Sequence, residues 1–154
     1  MTEKSIGRCV SRMKQESEGM AILTWNAELS VHIKSIDAQH QKLIDLINSL
    51  QKQISIGMGK DNVAPVLAEL LGYIVSHFKY EEKLMSDKGY PEYSAHKKEH
   101  AGITAQVRGL SHTLGSGKPI SSPEMSAVIK NCLTQHIMSA DKSYSSFLIE
   151  KGVK

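Results

Sequence analysis

Apolar residues recur at alternating steps of three and four in four separate blocks, the spacing of a helix face turned toward a core. The first block, from about Ser35 to Ile56, sets Ile36, His40, Leu43, Ile47, Leu50 and Ile54 on one face, and the run 55–61, SIGMGKD, interrupts it. The second carries Val63, Leu67, Leu70, Ile74, His77, Glu81 and Leu84 and stops at 86–89, where Gly89 suits a helix C-terminus. Pro91 fits the first turn of a third helix, whose face reads Tyr93, His96, His100, Ile103, Val107, Leu110 and Leu114. After GSGKPISSP, 115–123, with Ser122 as cap and Pro123 as first helical residue, a fourth face carries Ile129, Leu133, His136, Ala140, Tyr144 and Leu148. Blocks of about 20 residues span about 30 Å, and short connections favour antiparallel neighbours. The pattern therefore predicts an all-α chain, an up-down-up-down four-helix bundle with an N-terminal arm. Residues 21–34 read as that arm, extended or irregular and anchored by Trp25. Residues 1–20, with at most a short amphipathic stretch through Ile6, Val10 and Met13, read as a flexible tail outside a single domain at 21–154.

Composition narrows the function classes. The chain has 154 residues, 40% hydrophobic and 23% charged, enough for one core without staples. Its longest apolar runs fall far short of the roughly 20 residues that cross a membrane. The first twenty residues are charged and lack an apolar h-region, so no secretory signal is expected and the cytoplasm is the default address. The net charge is +3, but Lys and Arg alternate with Asp and Glu along the whole length, which argues against a nucleic-acid surface. Cys9 and Cys132 are too few and too far apart in sequence for a disulfide framework or a thiolate metal site.

Histidine is the informative excess. Of seven, five fall on the inward faces: His40, His77, His96, His100 and His136. Seam positions make up about two sevenths of a bundle helix, so chance would place five of the seven there with a probability on the order of 0.02. With Glu81 and Asp141 they put seven polar groups in one core, at a cost of several kcal/mol each unless something pairs them. His77 and Glu81 are four apart, as are His96 and His100, which stacks each pair one helical turn apart in chelating geometry. His136 and Asp141 are five apart, about 140° around an ideal helix, which suits a carboxylate reaching sideways between two metals. Seven groups oversupply one octahedral metal, and one tetrahedral zinc, taking four, even more so. Two metals bridged by Glu81 and Asp141 use all of them, and imidazole with carboxylate is the ligand mixture of non-haem iron. Neutral imidazoles leave more positive charge on such a pair than a carboxylate-rich cage, which disfavours high-valent iron and suits a ferrous pair that takes up dioxygen and releases it.

These residues resemble a known family, the hemerythrins, and among them the bacterial single-domain bacteriohemerythrins. The pattern His, His-x-x-x-Glu, His-x-x-x-His, His-x-x-x-x-Asp is met in order by His40, His77 with Glu81, His96 with His100, and His136 with Asp141. The surrounding IDAQH, HFKYEEKLM, GYPEYSAHKKEH and HIMSAD agree, and the likeness extends over about 23–149. The resemblance implies two iron ions with an oxo or hydroxo bridge and dioxygen as ligand. One iron would take His96, His100 and His136 and the other His40 and His77, with Glu81 and Asp141 shared and the second iron one ligand short. It implies a dioxygen pocket walled by Leu43, Phe78, Leu133 and Ile137, with Cys132 beside it where the family commonly has Trp, hence a wider pocket and faster oxidation. Cys132 otherwise reads as a small buried hydrophobe, with a redox-sensitive thiol as the lesser reading. His32 stands where the family usually has Gly and reads as an arm residue, and His112 as helix surface.

The leading expectation is reversible dioxygen binding for transport, storage or sensing, with no catalytic residue assigned and no nucleic-acid or membrane partner; a protein partner is not readable. The alternative is a diiron enzyme acting on peroxide, nitric oxide or dioxygen, and a third reading is an iron reservoir or structural metal bundle. Glu82 and Glu99 read as charges on solvated helix faces.

Overall fold

Each apolar series can be buried only against the other three, and the four blocks accordingly pair as helices. The computed structural model describes residues 23–154, so the expected tail at 1–20, its stretch through Ile6, Val10 and Met13 included, lies outside the described residues. Helix α1 spans Lys34–Ser55, α2 Lys60–Lys88 and α3 Tyr93–Gly115. A fourth segment, α4 at 122–150, is continuous but irregular. It is α-helical over Ser122–Met125, Cys132–His136 and Lys142–Glu150, and π-helical over Ser126–Asn131 and Ile137–Asp141. Helix α1 packs on α2, α2 on α3, α3 on α4, and α4 returns to α1. The connections 56–59, 89–92 and 116–121 are short enough to make sequential neighbours antiparallel. This is the four-helix bundle that the periodicity predicts, and no described helix is long and apolar enough to cross a membrane.

The helix ends follow local chemistry, with small departures from expectation. Gly89 takes a left-handed φ of 71°, and the Tyr90 amide donates to the Met85 carbonyl at 2.9 Å, closing α2 as a Schellman end. Pro91 lies in the turn before α3 rather than within it, because its fixed φ suits the second position of a turn equally well; the Tyr93 amide closes that turn on the Tyr90 carbonyl at 3.2 Å. The cap of α4 is Ser121, not Ser122. The Glu124 amide donates to Ser121 Oγ (3.2 Å) and Glu124 Oε2 accepts from the Ser121 amide (2.8 Å), a capping box. Ile120 and Met125, both buried in the main core, flank it as a hydrophobic staple.

Two inward positions shift. Leu84 is half-buried while Met85 is fully buried, and Asp141 takes the inward place expected of Ala140. The arm is held less by Trp25, which is half-buried, than by Leu29, Val31 and Ile33, which are buried. The Leu23 amide donates to Asn48 Oδ1 (2.9 Å) and Asn48 Nδ2 donates to the Leu23 carbonyl (2.8 Å). Asp37, in the first turn of α1, accepts from the Val31 amide (2.8 Å) and Ser30 Oγ (2.6 Å).

The core is layered. Leu43, Leu50, Leu67, Leu70, Ile103 and Leu133 belong to a large apolar cluster in one half of the bundle, and Val31, Ile33, Ile36, Met85, Tyr144 and Leu148 form a second toward the other end. Between them every helix contributes polar residues at one level, all buried: His40 from α1, His77 and Glu81 from α2, His96 and His100 from α3, His136 and Asp141 from α4.

Candidate metal centre

All seven residues singled out for metal meet in that layer. Their atoms fall into two overlapping groups: His96, His100, His136, Glu81 and Asp141 in one, and His40, His77, Glu81 and Asp141 in the other, with the ligand atoms of each group within 4.8 Å of one another. The carboxylates divide their oxygens between the groups. Glu81 Oε1 lies 2.7 Å from His77 Nε2 and 3.2 Å from His40 Nε2, while Oε2 lies 3.2 Å from His100 Nε2 and 3.5 Å from His96 Nε2. Asp141 Oδ2 lies 3.1 Å from His40 Nε2, and Oδ1 is 3.0 Å from both His96 Nε2 and His136 Nε2.

The geometry of α4 makes this possible. On an ideal helix Asp141 would stand well round from His136, but the turn Ile137–Asp141 is π-helical, and its i→i+5 repeat brings residues five apart onto one face. Asp141 therefore points inward beside His136 rather than sideways.

The imidazoles are oriented from behind. His77 Nδ1 bonds Gln39 Oε1 (2.7 Å), His100 Nδ1 bonds Glu82 Oε1 (2.9 Å) and His136 Nδ1 bonds Glu99 Oε2 (3.0 Å). With the proton on Nδ1, each ring presents the lone pair of Nε2 to the centre. Glu82 and Glu99 are thus not merely solvated charges; their side chains are 18% and 20% exposed. Phe78 stacks on His100 with centroids 3.7 Å apart, and Tyr144 stacks on His96 at 5.4 Å while its hydroxyl donates to Glu81 Oε1 at 2.9 Å. Gln39, Glu82 and Glu99 each adjoin a singled-out residue in sequence, which is the one signal that marks them; Glu99 nonetheless serves His136 on another helix.

The fit to a metal rests on what these atoms lack. The Nε2 atoms of His77, His96, His100 and His136, Oε2 of Glu81 and both oxygens of Asp141 are buried without a hydrogen-bond partner among the described residues, although they crowd together. Lone pairs converging at such distances, with no donor between them, suit a cation. In the metal-free chain protons take that part. His40 is raised to about 9: burial lowers it, but contact with Asp141 and Glu81 prevails. His136 is raised to about 10 against burial, by Asp141 and Glu99. His96 is raised in the same way, whereas burial dominates at His100 and lowers it. Burial pushes Glu81 and Asp141 upward, yet the surrounding imidazoles hold both well below the ordinary carboxylate range. Burial and the two carboxylates raise Tyr144 well above the usual phenol range.

The expected pocket wall is buried but not gathered in one place. Leu43, Phe78 and Leu133 share the main cluster, whereas Ile137 packs with Leu29 and Ile44 beneath the arm. Cys132 is buried, with Sγ 3.8 Å from Gln106 Oε1 and 3.5 Å from the Ala127 carbonyl oxygen. It is not a free thiol, which corrects both readings of it as one. His32 and His112 are exposed and outside the centre.

Residues 31–148 match the hemerythrin HHE cation-binding domain. The chain is 33% identical to a bacteriohemerythrin of Stenotrophomonas maltophilia over 126 residues, covering 82% of this chain and 81% of that protein. It is 31% identical to a bacteriohemerythrin of Methylococcus capsulatus over 130 residues, covering 84% and 98%. Its backbone is similar to a crystal structure of wild-type hemerythrin, with a TM-score of 0.78 at 30% identity over 83% of this chain and 98% of that one.

Proposed function

Because the chain belongs to the hemerythrin HHE cation-binding family, we propose that it binds dioxygen reversibly at a pair of iron ions held by His40, His77, Glu81, His96, His100, His136 and Asp141. One observation carries this reading: Glu81 and Asp141 each turn one oxygen to a three-imidazole group and the other to a two-imidazole group. That division suits two cations with two bridging carboxylates, and the inequality of the groups leaves the His40 and His77 side one nitrogen short. The iron pair, when bound, supplies the electrons that dioxygen takes up and returns.

The chain's own residues do the rest. The Nδ1 bonds to Gln39, Glu82 and Glu99 fix three rings so that Nε2 faces inward. Tyr144 donates to Glu81 Oε1, the oxygen facing the two-imidazole side, and so holds that carboxylate in its bridging orientation. Leu43, Phe78 and Leu133 bring apolar surface against the layer and keep water from it. In this reading Leu43, Phe78, Cys132, Leu133 and Ile137 border the dioxygen site from different sides. An oxo or hydroxo bridge between the irons belongs to the same reading, as does a role in transport, storage or sensing.

The test is to load the metal-free chain with ferrous iron without air, count the metal, then admit and remove air. About two irons per chain are expected, as for other paired-metal sites, with a visible charge-transfer band that rises in air and falls when air is removed. Fewer irons overturn the reading. A band that gives way at once to a stable ferric spectrum favours the enzyme acting on peroxide, nitric oxide or dioxygen.

A further inference from the structure

The bonds behind the imidazoles are unevenly charged. On the three-imidazole side two rings lean on carboxylates: His100 Nδ1 on Glu82 Oε1 at 2.9 Å and His136 Nδ1 on Glu99 Oε2 at 3.0 Å. On the two-imidazole side His77 Nδ1 meets the neutral amide oxygen of Gln39 at 2.7 Å, and His40 Nδ1 is buried with no hydrogen-bond partner among the described residues. Glu82 and Glu99 are mostly shielded, at 18% and 20% side-chain exposure, so water and salt screen them only in part.

An ionised acceptor draws the Nδ1 proton toward itself and raises electron density at Nε2, making the ring a stronger donor. A neutral amide fixes the same tautomer without adding charge, and a bare nitrogen does neither. Glu81 and Asp141 give one oxygen to each side, and the Tyr144 hydroxyl on Glu81 Oε1 draws density only from the two-imidazole side.

We infer that Glu82 and Glu99, acting through His100 and His136, make the three-imidazole side bind a divalent cation first and more tightly, so that the two metals enter in a fixed order. This rests on the two-metal reading above. Glu82 and Glu99 are positioning residues, since their oxygens touch the outer nitrogens of the rings and not the centre. Gln39 is their neutral counterpart on the weaker side. The order follows from charge placed behind the ligands as much as from the count of ligands in front.

Titration of the metal-free full chain with cobalt(II), without air and against a competing chelator, tests this by calorimetry and visible absorption at one buffered pH held constant across the variants. The unaltered chain takes up cobalt in two resolved steps. Glu82→Gln and Glu99→Gln keep an oxygen acceptor but remove the charge, and each weakens the first step by roughly 10- to 100-fold, the usual effect of losing such a partner, while sparing the second. Gln39→Glu strengthens the second step and narrows the gap. A role in folding alone would instead weaken both steps in every variant, with the metal-free melting temperature falling alongside. A single step in the unaltered chain, an unmoved first step in both Glu variants, or a weaker second step in Gln39→Glu overturns the inference. Fewer than about two cobalt ions per chain would instead overturn the two-metal reading on which it rests.

Discussion

Tyr144 and His32 show opposite ways in which one side chain departs from what its local pattern suggests. Tyr144 lies on an apolar face and reads as core, yet its hydroxyl donates to Glu81. Tyr144→Phe keeps the ring but removes one hydrogen bond to a buried carboxylate, so the metal-free chain is expected to lose about 1.5–3 kcal/mol, read from denaturant midpoints at unchanged slope. His32 sits at φ 60°, with its amide donating to Ser30 Oγ. That left-handed conformation favours glycine, and His32→Gly should stabilise the chain by about 0.5–1 kcal/mol once the entropy lost by glycine is offset; an unchanged or lowered melting temperature would refute the strain. Six of the seven central residues were legible because helical spacing alone puts them on inward faces; Asp141 was singled out by its five-residue offset from His136, and its inward aim comes from the π-helical turn. Gln39, Glu82 and Glu99 were not legible, because the partner of an Nδ1 depends on ring rotamer and on which helix lies alongside, neither of which a single strand of sequence records.

At the scale of the element, α4 departs most from regularity. Its neighbours α1 to α3 follow a 3.6-residue repeat, and their inward residues were read almost without error. In α4 the π-helical turn at Ile137–Asp141 adds a residue to the repeat, so Asp141 rather than Ala140 is turned inward. A widened turn gives up regular hydrogen bonding and persists where tertiary contacts favour it; here it lets His136, Asp141 and Tyr144 all face the same layer. The start of α4 is set locally. Ser121→Ala removes one half of the capping box and should cost about 1 kcal/mol, as should Glu124→Ala. The double variant should cost less than the sum, because each half loses its worth once the other is gone. Full additivity of the two denaturation shifts would refute the reciprocal cap.

For the whole molecule, the consequence is a polar layer clamped between two apolar clusters, whose charge depends on what occupies it. In the metal-free chain the pKa of His40 at about 9 and of His136 at about 10 exceeds the ordinary 6.5, so their contribution is complete below pH 6.5, declines above it and is gone beyond about 10. His100, lowered by burial, opposes this in acid. Glu81 and Asp141, held low, contribute above their ordinary values of 4.5 and 3.8 and lose that contribution as pH falls toward their depressed values. The melting temperature of the metal-free chain should therefore fall as pH rises from 6.5 through about 10. Loading with metal should raise that temperature and flatten the alkaline decline, since metal displaces the protons concerned, and a chelator should reverse both. A metal-free melting curve that is flat over this range would refute the pairing of His40 and His136 with the buried carboxylates.

Helical period, turn chemistry and the placing of five imidazoles and Glu81 on inward faces were determined by the order of residues alone, because each follows from spacing within one helix. Contacts between helices decided the rest: which carboxylate oxygen faces which imidazoles, the widened turn that aims Asp141, the outward partners of the rings and the scattering of the expected pocket wall. Those features depend on rotamers and on distances across the bundle, and such distances exist only once the four helices are packed.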